Sequence, residues 1–242
     1  MALTKVGKEG VVGLDNSADA TAITISSGEV VTLSNNLITN GNVLRGANDS
    51  SNTLSGGTAS NSGGNIGVYG SSHSSLASNI RFRSGSTVTM LMDSTGAMTK
   101  PLQPAFYAAK TSTQSNIDNS GSQVDVPFDS ERFDQNADFA SNVFTAPVTG
   151  KYYLKSSLYL SAVDTAADYY AVRVNTSNKV YVSIFTPKLS ADVDFFSLTV
   201  DVVADMDASD TAKIQIFQSG GSQQTDINGN DSYTYFCGYL VA

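Results

Sequence analysis

The chain has 242 residues, 14 basic and 22 acidic side chains, and a net charge of −8 with its single histidine neutral. This acidity argues against nucleic acid as a partner, because binding a phosphate backbone depends on clustered basic side chains. One cysteine excludes an intrachain disulfide and a cysteine-based zinc site. The N-terminus lacks the apolar core of a signal peptide and no stretch has the length of a membrane span, so we expect cytoplasmic synthesis and no membrane insertion.

Composition divides the chain near residues 101–104, Pro-Leu-Gln-Pro. Residues 1–103 hold 14 of the 20 glycines but only Tyr69 and Phe82 of the 22 tyrosines and phenylalanines. The acidic excess lies entirely beyond this segment. Low charge with abundant Ser, Thr, Asn and Gly favours strands and turns over helices. We therefore expect an all-β protein with two kinds of module.

The first part contains short apolar alternations at 22–25, 30–33, 66–69, 80–82 and 88–92, each bounded by turn residues. One copy has too few large apolar side chains to offset the entropy of ordering its backbone. Residues 60–103 are therefore predicted to form a glycine-rich β-stalk intertwined among several copies, with disorder as the alternative. For residues 1–59, which we expect to be an extended segment, intertwined β-structure and disorder both remain open.

In residues 63–99 a glycine-rich strand precedes Ile-Arg-Phe-Arg at 80–83, a Met-rich strand follows at 87–92, and Asp-Ser-Thr-Gly stands at 93–96. This order of elements resembles a module of bacteriophage tail-fibre and other virion appendage proteins. The chain departs from that pattern at 97–100, Ala-Met-Thr-Lys. The resemblance implies an oligomeric shaft.

Residues 104–242 show denser alternation, for example at 151–161, 169–174, 180–185 and 212–217. Strands at intervals of about ten residues are typical of a sandwich or jelly roll. Tyr152, Leu154, Leu158 and Leu160 have the even spacing that places side chains on one face of a strand. The pattern predicts one compact β-domain.

Within residues 123–161 a spaced set of residues stands out, namely Phe128, Asp134, Phe139, Phe144-Thr145-Ala146-Pro147, Gly150, Tyr152 and Leu154. This set resembles the globular-head signature of complement component one q and its tumour necrosis factor-like relatives. Residues 232–241 resemble the last strand of that family. The spacing from Phe139 to Phe144 is shorter than usual, and Leu154 replaces an aromatic residue. The resemblance implies a ten-stranded jelly roll that associates as a homotrimer.

No catalytic constellation is evident, and we expect no enzymatic activity. His73 stands in a Ser-rich turn and is distant in sequence from Cys237. Cys237 lies in an apolar terminal strand, where we expect a small buried side chain. A nucleophile paired with histidine is therefore unsupported. We expect no cofactor.

Acidic clusters could hold calcium, which prefers carboxylate and carbonyl oxygens. They are Asp192 with Asp194, Asp205 with Asp207 and Asp210, and the segment 226–231. Solvated loops are the alternative, and the presence of a metal stays open.

Together the two resemblances predict a phage virion structural protein, a trimeric tail fibre or spike subunit. Residues 1–59 would attach to other virion proteins, 60–103 would form the stalk and linker, and the jelly-roll head 104–242 would bind a host-cell surface receptor, either a glycan or a protein. One alternative is a capsid or appendage decoration protein whose jelly roll is only a trimerisation clamp. Another is a soluble extracellular complement-like recognition protein.

Recognition is predicted in the polar connections 161–168, 175–179, 187–194 and 220–231, since loops vary without disturbing packed strands. Their Asp, Asn, Ser and Gln side chains suit surface glycans. Asn228, Asn230 and Asp231 are the chosen candidate residues.

Overall fold

A computed structural model describes residues 48–242. They form seventeen β-strands and no helix, so none of them forms a helix that could cross a membrane. The predicted strands at 22–25 and 30–33 lie outside the described residues. So does most of the segment predicted to attach to other virion proteins.

An antiparallel N-terminal sheet of five strands comes first, with its strands in chain order. They are β1 Ser51–Ser55, β2 Gly64–Tyr69, β3 Ile80–Ser84, β4 Thr87–Met92 and β5 Met98–Thr99. The strands predicted at 66–69, 80–82 and 88–92 are confirmed. Strand β1, which lies before residue 60, also belongs to this sheet, since all five of its residues pair with β2.

The head, residues 104–242, consists of two packed sheets. The strands are β6 Ala105–Ala109, β7 Ser120–Asp125, β8 Ser130–Asp134, β9 Phe139–Ala140, β10 Val143–Thr145, β11 Gly150–Ser161, β12 Ala167–Thr176, β13 Val180–Phe185, β14 Phe196–Met206, β15 Thr211–Gly220, β16 Asp226–Ile227 and β17 Tyr235–Leu240. Sheet I has the order β14-β11-β17-β6-β8 with β16 beside β11, and sheet II has the order β13-β12-β15-β10-β9 with β7 beside β15.

The head is an antiparallel jelly-roll sandwich, since the chain crosses between the sheets at most connections. The predicted fold class is confirmed in this respect. The head has twelve strands where ten were predicted, and two of them, β9 and β16, are only two residues long. Such short pairings arise where a loop runs beside a strand, and the sequence pattern does not reveal them.

The core lies between the two sheets. Tyr152, Leu154, Leu158 and Leu160 of β11 are all fully buried, which confirms that they share one face. Every buried apolar side chain of the described residues lies between 106 and 236. The head therefore contains the whole of the buried apolar core.

Residues 147–149 form the bend before β11, and Gly150 begins the strand without a positive φ. A Cβ on Gly150 would lie 2.7 Å from the carbonyl oxygen of Ala242, so close approach of the C-terminus requires glycine here.

Side-chain amides fix the linker to the head. Gln103 Nε2 donates to the Leu240 carbonyl at 2.7 Å, and Gln135 Nε2 donates to the Lys100 carbonyl at 2.9 Å. Asn136 Nδ2 donates to the Leu102 carbonyl at 3.0 Å. The linker therefore reaches β6 along a defined path.

Candidate recognition site

Three of the four predicted recognition loops gather at the end of the head far from the linker. Gly150, at the start of β11, pairs with Met206 at the end of β14 and lies beside the C-terminal residue. Leu160, near the other end of β11, pairs with Phe196 and Ile227. The two ends of β11 are about 36 Å apart at the usual rise per residue. Loops 161–168, 187–194 and 220–231 all join strands at the Leu160 end.

The fourth predicted loop, 175–179, lies at the linker end. Ser177 N–H donates to the Thr211 carbonyl at 2.9 Å, and Asn178 Nδ2 donates to Asp210 at 2.6 Å. Asp205, whose carbonyl also accepts from Asn178, pairs with Lys151 near the start of β11. This loop therefore cannot act together with the other three.

Hydrogen bonds connect the three loops of the far end. Asp192 accepts from the backbone N–H and the hydroxyl of Thr165, both at 2.9 Å, and from Gln224 Nε2 at 2.8 Å. These bonds, led by the Thr165 backbone N–H, lower the pKa of Asp192. Buried Asp164 likewise accepts from the backbone N–H groups of Ala166 and Ser222. The far end is thus a connected surface.

The candidate residues Asn228 and Asn230 stabilise the turn that leads into β17. Asn230 Oδ1 accepts from Ser232 N–H at 3.0 Å, and the Asn228 carbonyl accepts from the Thr234 hydroxyl at 2.8 Å. Thr234 Oγ1 in turn accepts from Tyr159 N–H at 3.1 Å. The backbone carbonyl of Asn228 and the side chain of Asn230 therefore have a structural role, and ligand binding by these residues stays a prediction.

Asp231, the third candidate, forms an ion pair with Arg132 of β8. Its carbonyl accepts from the Tyr107 hydroxyl at 3.2 Å, and its Oδ1 accepts from Ser232 Oγ at 3.3 Å. Both partner elements belong to sheet I. Substitution here would change the loop and the sheet surface together.

The acidic clusters weighed for calcium do not converge. Within residues 48–242 no three acidic, histidine or cysteine side chains come together as metal ligands. Asp205 pairs with Lys151, and Asp210 Oδ2 accepts from Asp207 N–H at 2.8 Å. Their oxygens serve loop structure.

His73 lies in its predicted turn, where Nδ1 accepts from Ser75 N–H at 3.3 Å and Leu76 N–H at 3.2 Å.

Cys237 is not the buried core residue that was predicted. It is half-buried on the outer face of β17, between the core residues Phe236 and Gly238. Burial raises the pKa of its thiol, and nearby Lys155 partly offsets the effect.

The outer face of sheet I carries a group of aromatic side chains, here called the aromatic face. It consists of Tyr107, Phe133, Tyr153, Tyr159, Phe195, Tyr233, Tyr235 and Tyr239. Ring centroids are 5.1 Å apart for Tyr107 and Tyr235 and 5.4 Å apart for Tyr153 and Tyr239. Phe195 is 80% exposed. Exposed apolar surface of this extent is typical of an interface between subunits.

A second unburied apolar surface lies on the N-terminal sheet. The strand register places Leu54, Ile66, Val68, Ile80, Phe82, Met90, Met92 and Met98 on one side, here called the apolar face. None of them is buried, and Leu54 is 74% exposed. A sheet with one largely apolar face requires a covering layer for stability.

Comparison with known proteins gives a likeness of fold only. No family model and no curated protein matches the chain. The globular domain of zebrafish complement 1qA protein is similar at 18% identity over 58% of this chain and 98% of that one, with a TM-score of 0.42. Murine APRIL at pH 8.0 is similar at 12% identity over 57% and 99%, also with a TM-score of 0.42. The virion role stays a prediction.

Proposed function

We propose that the chain is the subunit of a homotrimeric virion fibre or spike whose head displays recognition loops to a host-cell surface. The observation that carries this proposal is the apolar face of the N-terminal sheet. No apolar side chain of residues 48–103 is buried in the single chain. Copies of the same sheet can cover one another, since identical apolar faces come together around a rotation axis.

The aromatic face gives the head a second surface for the same partner. Tyr153 pairs with both Tyr239 and Val203 across sheet I, and Val203 is 57% exposed. A charged side chain, Lys155, stands among the rings, with Asp201 opposite it on β14. Aromatic side chains with few charges are characteristic of the centre of a subunit interface.

A trimer is the assembly that the sequence resemblance of residues 123–161 implies. In a fibre, the linker end of each head follows the stalk and the far end is displayed. Three of the predicted loops lie there, where three copies would act at high effective concentration. The receptor class we propose is a surface glycan, and the location we propose is the virion.

A second candidate function is a trimerisation clamp without a ligand. It is favoured by the bonds of Asp164, Asp192 and Asn230, whose polar atoms stabilise the loops themselves. An extracellular recognition protein of the complement-like kind would use the same trimer in another setting. In each case we propose a non-enzymatic role that needs no cofactor.

Light scattering on the full chain tests the assembly. We expect three times 25.4 kDa. Phe82→Asp, on the apolar face, should reduce the mass towards that of one chain, whereas Arg81→Ser, on the opposite face of the same strand, should leave it unchanged. A folded monomer at micromolar concentration would overturn the proposal.

Immunogold electron microscopy of virus particles tests the role. Label on a projecting appendage supports a fibre or spike, and label over the capsid surface supports the clamp. Absence of label from all particles overturns the virion proposal.

A further inference from the structure

A trough runs along the outer face of sheet II between β12 and β13, with a volume of about 360 Å³. Ala171 lies beneath it, and Val182 and Ile184 of the edge strand form one wall. Asp168 and Arg173 stand towards its two ends. It is separate from the far-end loops and from the aromatic face, which lies on the other side of the sandwich.

The trough is open because its flanking side chains pack towards β15. Tyr169 stacks on the ring of Phe217 with centroids 5.3 Å apart, and the Arg173 guanidinium lies 5.0 Å from the same centroid. Tyr169 lies two residues before Ala171 and Arg173 two residues after it, and Ala171 pairs with Phe217. Their contacts with Phe217 hold both in place and leave Ala171 uncrowded on the β13 side.

Arg173 has no carboxylate partner among the described residues. Asp125 of β7, on the far side of β15 from Arg173, is already bound by Lys213 at 2.9 Å and by Gln215 at 2.7 Å. Arg173 Nε is buried without a hydrogen bond. A positioned and uncompensated guanidinium favours a ligand that brings a carboxylate.

Asp168 supplies the opposite chemistry. It lies at an irregularity of β12, where the register with β15 shifts between Ala167 and Tyr169. Its Oδ2 accepts one hydrogen bond, from Ser219 Oγ at 3.3 Å, so further acceptor sites are free for hydroxyl donors. Bulges of this kind redirect side chains next to binding sites.

The apolar wall also needs a partner. Ile184 is 65% exposed and Val182 is 44% exposed, although both belong to a regular strand. A ligand that combines a carboxylate, hydroxyl groups and an apolar face of C–H groups matches all three features.

We propose that the trough binds an acidic saccharide, with its carboxylate on Arg173, hydroxyl groups donating to Asp168, and its C–H face on Val182 and Ile184. As a further receptor contact on the head, separate from the far-end loops, it rests on the proposed binding of a surface glycan, and it names the class of that glycan. If the trough were instead covered by a second copy of the chain or by a strand added at β13, that binding would depend on the apolar wall and not on the charge of Arg173.

Calorimetry with the full chain tests the site. The probes are an oligogalacturonide, an oligoalginate and sialyllactose, each beside its carboxyl-reduced or asialo counterpart. We expect at least one acidic probe to bind about tenfold or more tightly than its neutral counterpart, because a hydrogen bond between two charged groups is stronger than one between neutral groups. Arg173→Gln should remove that preference, and Ala171→Leu should block binding with the charge retained.

Lys179→Gln is the matched control, since it removes a charge of the same sign just before β13 and should bind as the original chain does.

Failure of all three acidic probes to bind, equal binding of the neutral probes, or normal binding by Arg173→Gln would overturn the site. A lower mass for Ala171→Leu in light scattering would show that another copy covers the trough, which also overturns it. A trimer that attaches to cells but binds no probe would refute the trough alone. Probe binding by a monomer would refute the proposed assembly alone.

Discussion

Phe106 of β6 stacks on Phe144 of β10, with ring centroids 4.8 Å apart and an angle of 14° between the ring planes. β6 belongs to sheet I and β10 to sheet II, so the pair joins the two sheets directly after the linker. Phe139 and Phe236 also contact the Phe106 ring, at 5.1 and 4.9 Å. All four rings are buried.

Phe144→Ala should therefore strongly destabilise the head. Deleting a buried ring costs about 3–5 kcal/mol of unfolding free energy, through lost burial and the cavity left behind. Phe144→Leu keeps most of the volume and should cost clearly less. Urea unfolding of both variants at one protein concentration measures the difference, and equal losses would contradict the packing described here.

The head should fold without the N-terminal sheet. A fragment of residues 104–242 contains every buried apolar side chain of the described residues, and we expect a cooperative thermal transition from it. A fragment of residues 48–103 should show none as a monomer, because its apolar face stays in water. Calorimetry of the two fragments decides this, and a cooperative monomeric transition in the shorter fragment would refute the argument.

Asp129 should make stability depend on pH in the acid range. Burial alone would raise its pKa, but hydrogen bonds from the hydroxyl and backbone N–H groups of Ser112 and Thr111 outweigh that effect and lower the pKa from 3.8 to about 2. A depressed pKa in the folded state means that the ionised group stabilises the fold above about pH 4. This contribution is lost as the pH falls towards 2.

Urea unfolding between pH 2 and 7 measures the effect. Asp129→Asn should be less stable than the original chain at neutral pH by about 1 kcal/mol, allowing for the solvent exposure of the site. The two chains should converge near pH 2. Asp194→Asn, in an exposed loop, is the control, and a constant difference at every pH would contradict the prediction.

The rate at which Cys237 is alkylated should report whether the aromatic face is covered by another subunit. Burial raises the pKa of its thiol, so alkylation should be slow at neutral pH. Tyr153→Ser should weaken association through the aromatic face and speed the alkylation by iodoacetamide. The chain has one cysteine, so the label reports this position alone.

Val180→Ser, on the outer face of sheet II, is the control and should leave both the mass and the alkylation rate unchanged. Equal alkylation rates for all three chains, with a trimeric mass throughout, would place the subunit contact elsewhere.

The sequence by itself determined most of the strands and the lack of a buried apolar core in residues 48–100. Alternation in residues such as Tyr152, Leu154, Leu158 and Leu160 identifies a buried face, because side chains of a strand point to opposite sides in turn. The lack of large apolar side chains before residue 101 predicted a sheet without a core of its own. Both conclusions depend on local pattern and composition.

Only the tertiary structure decided which residues meet across sheets and ends. Cys237 lies in a strand whose two faces are both apolar, so alternation alone could not say that its side chain faces outwards beside Tyr107 and Lys155. The trough depends on Ala171 being placed between Phe217 and Ile184, which are distant in the chain. The three far-end loops converge because strand register places their ends together, and register is set by long-range pairing that no single segment encodes.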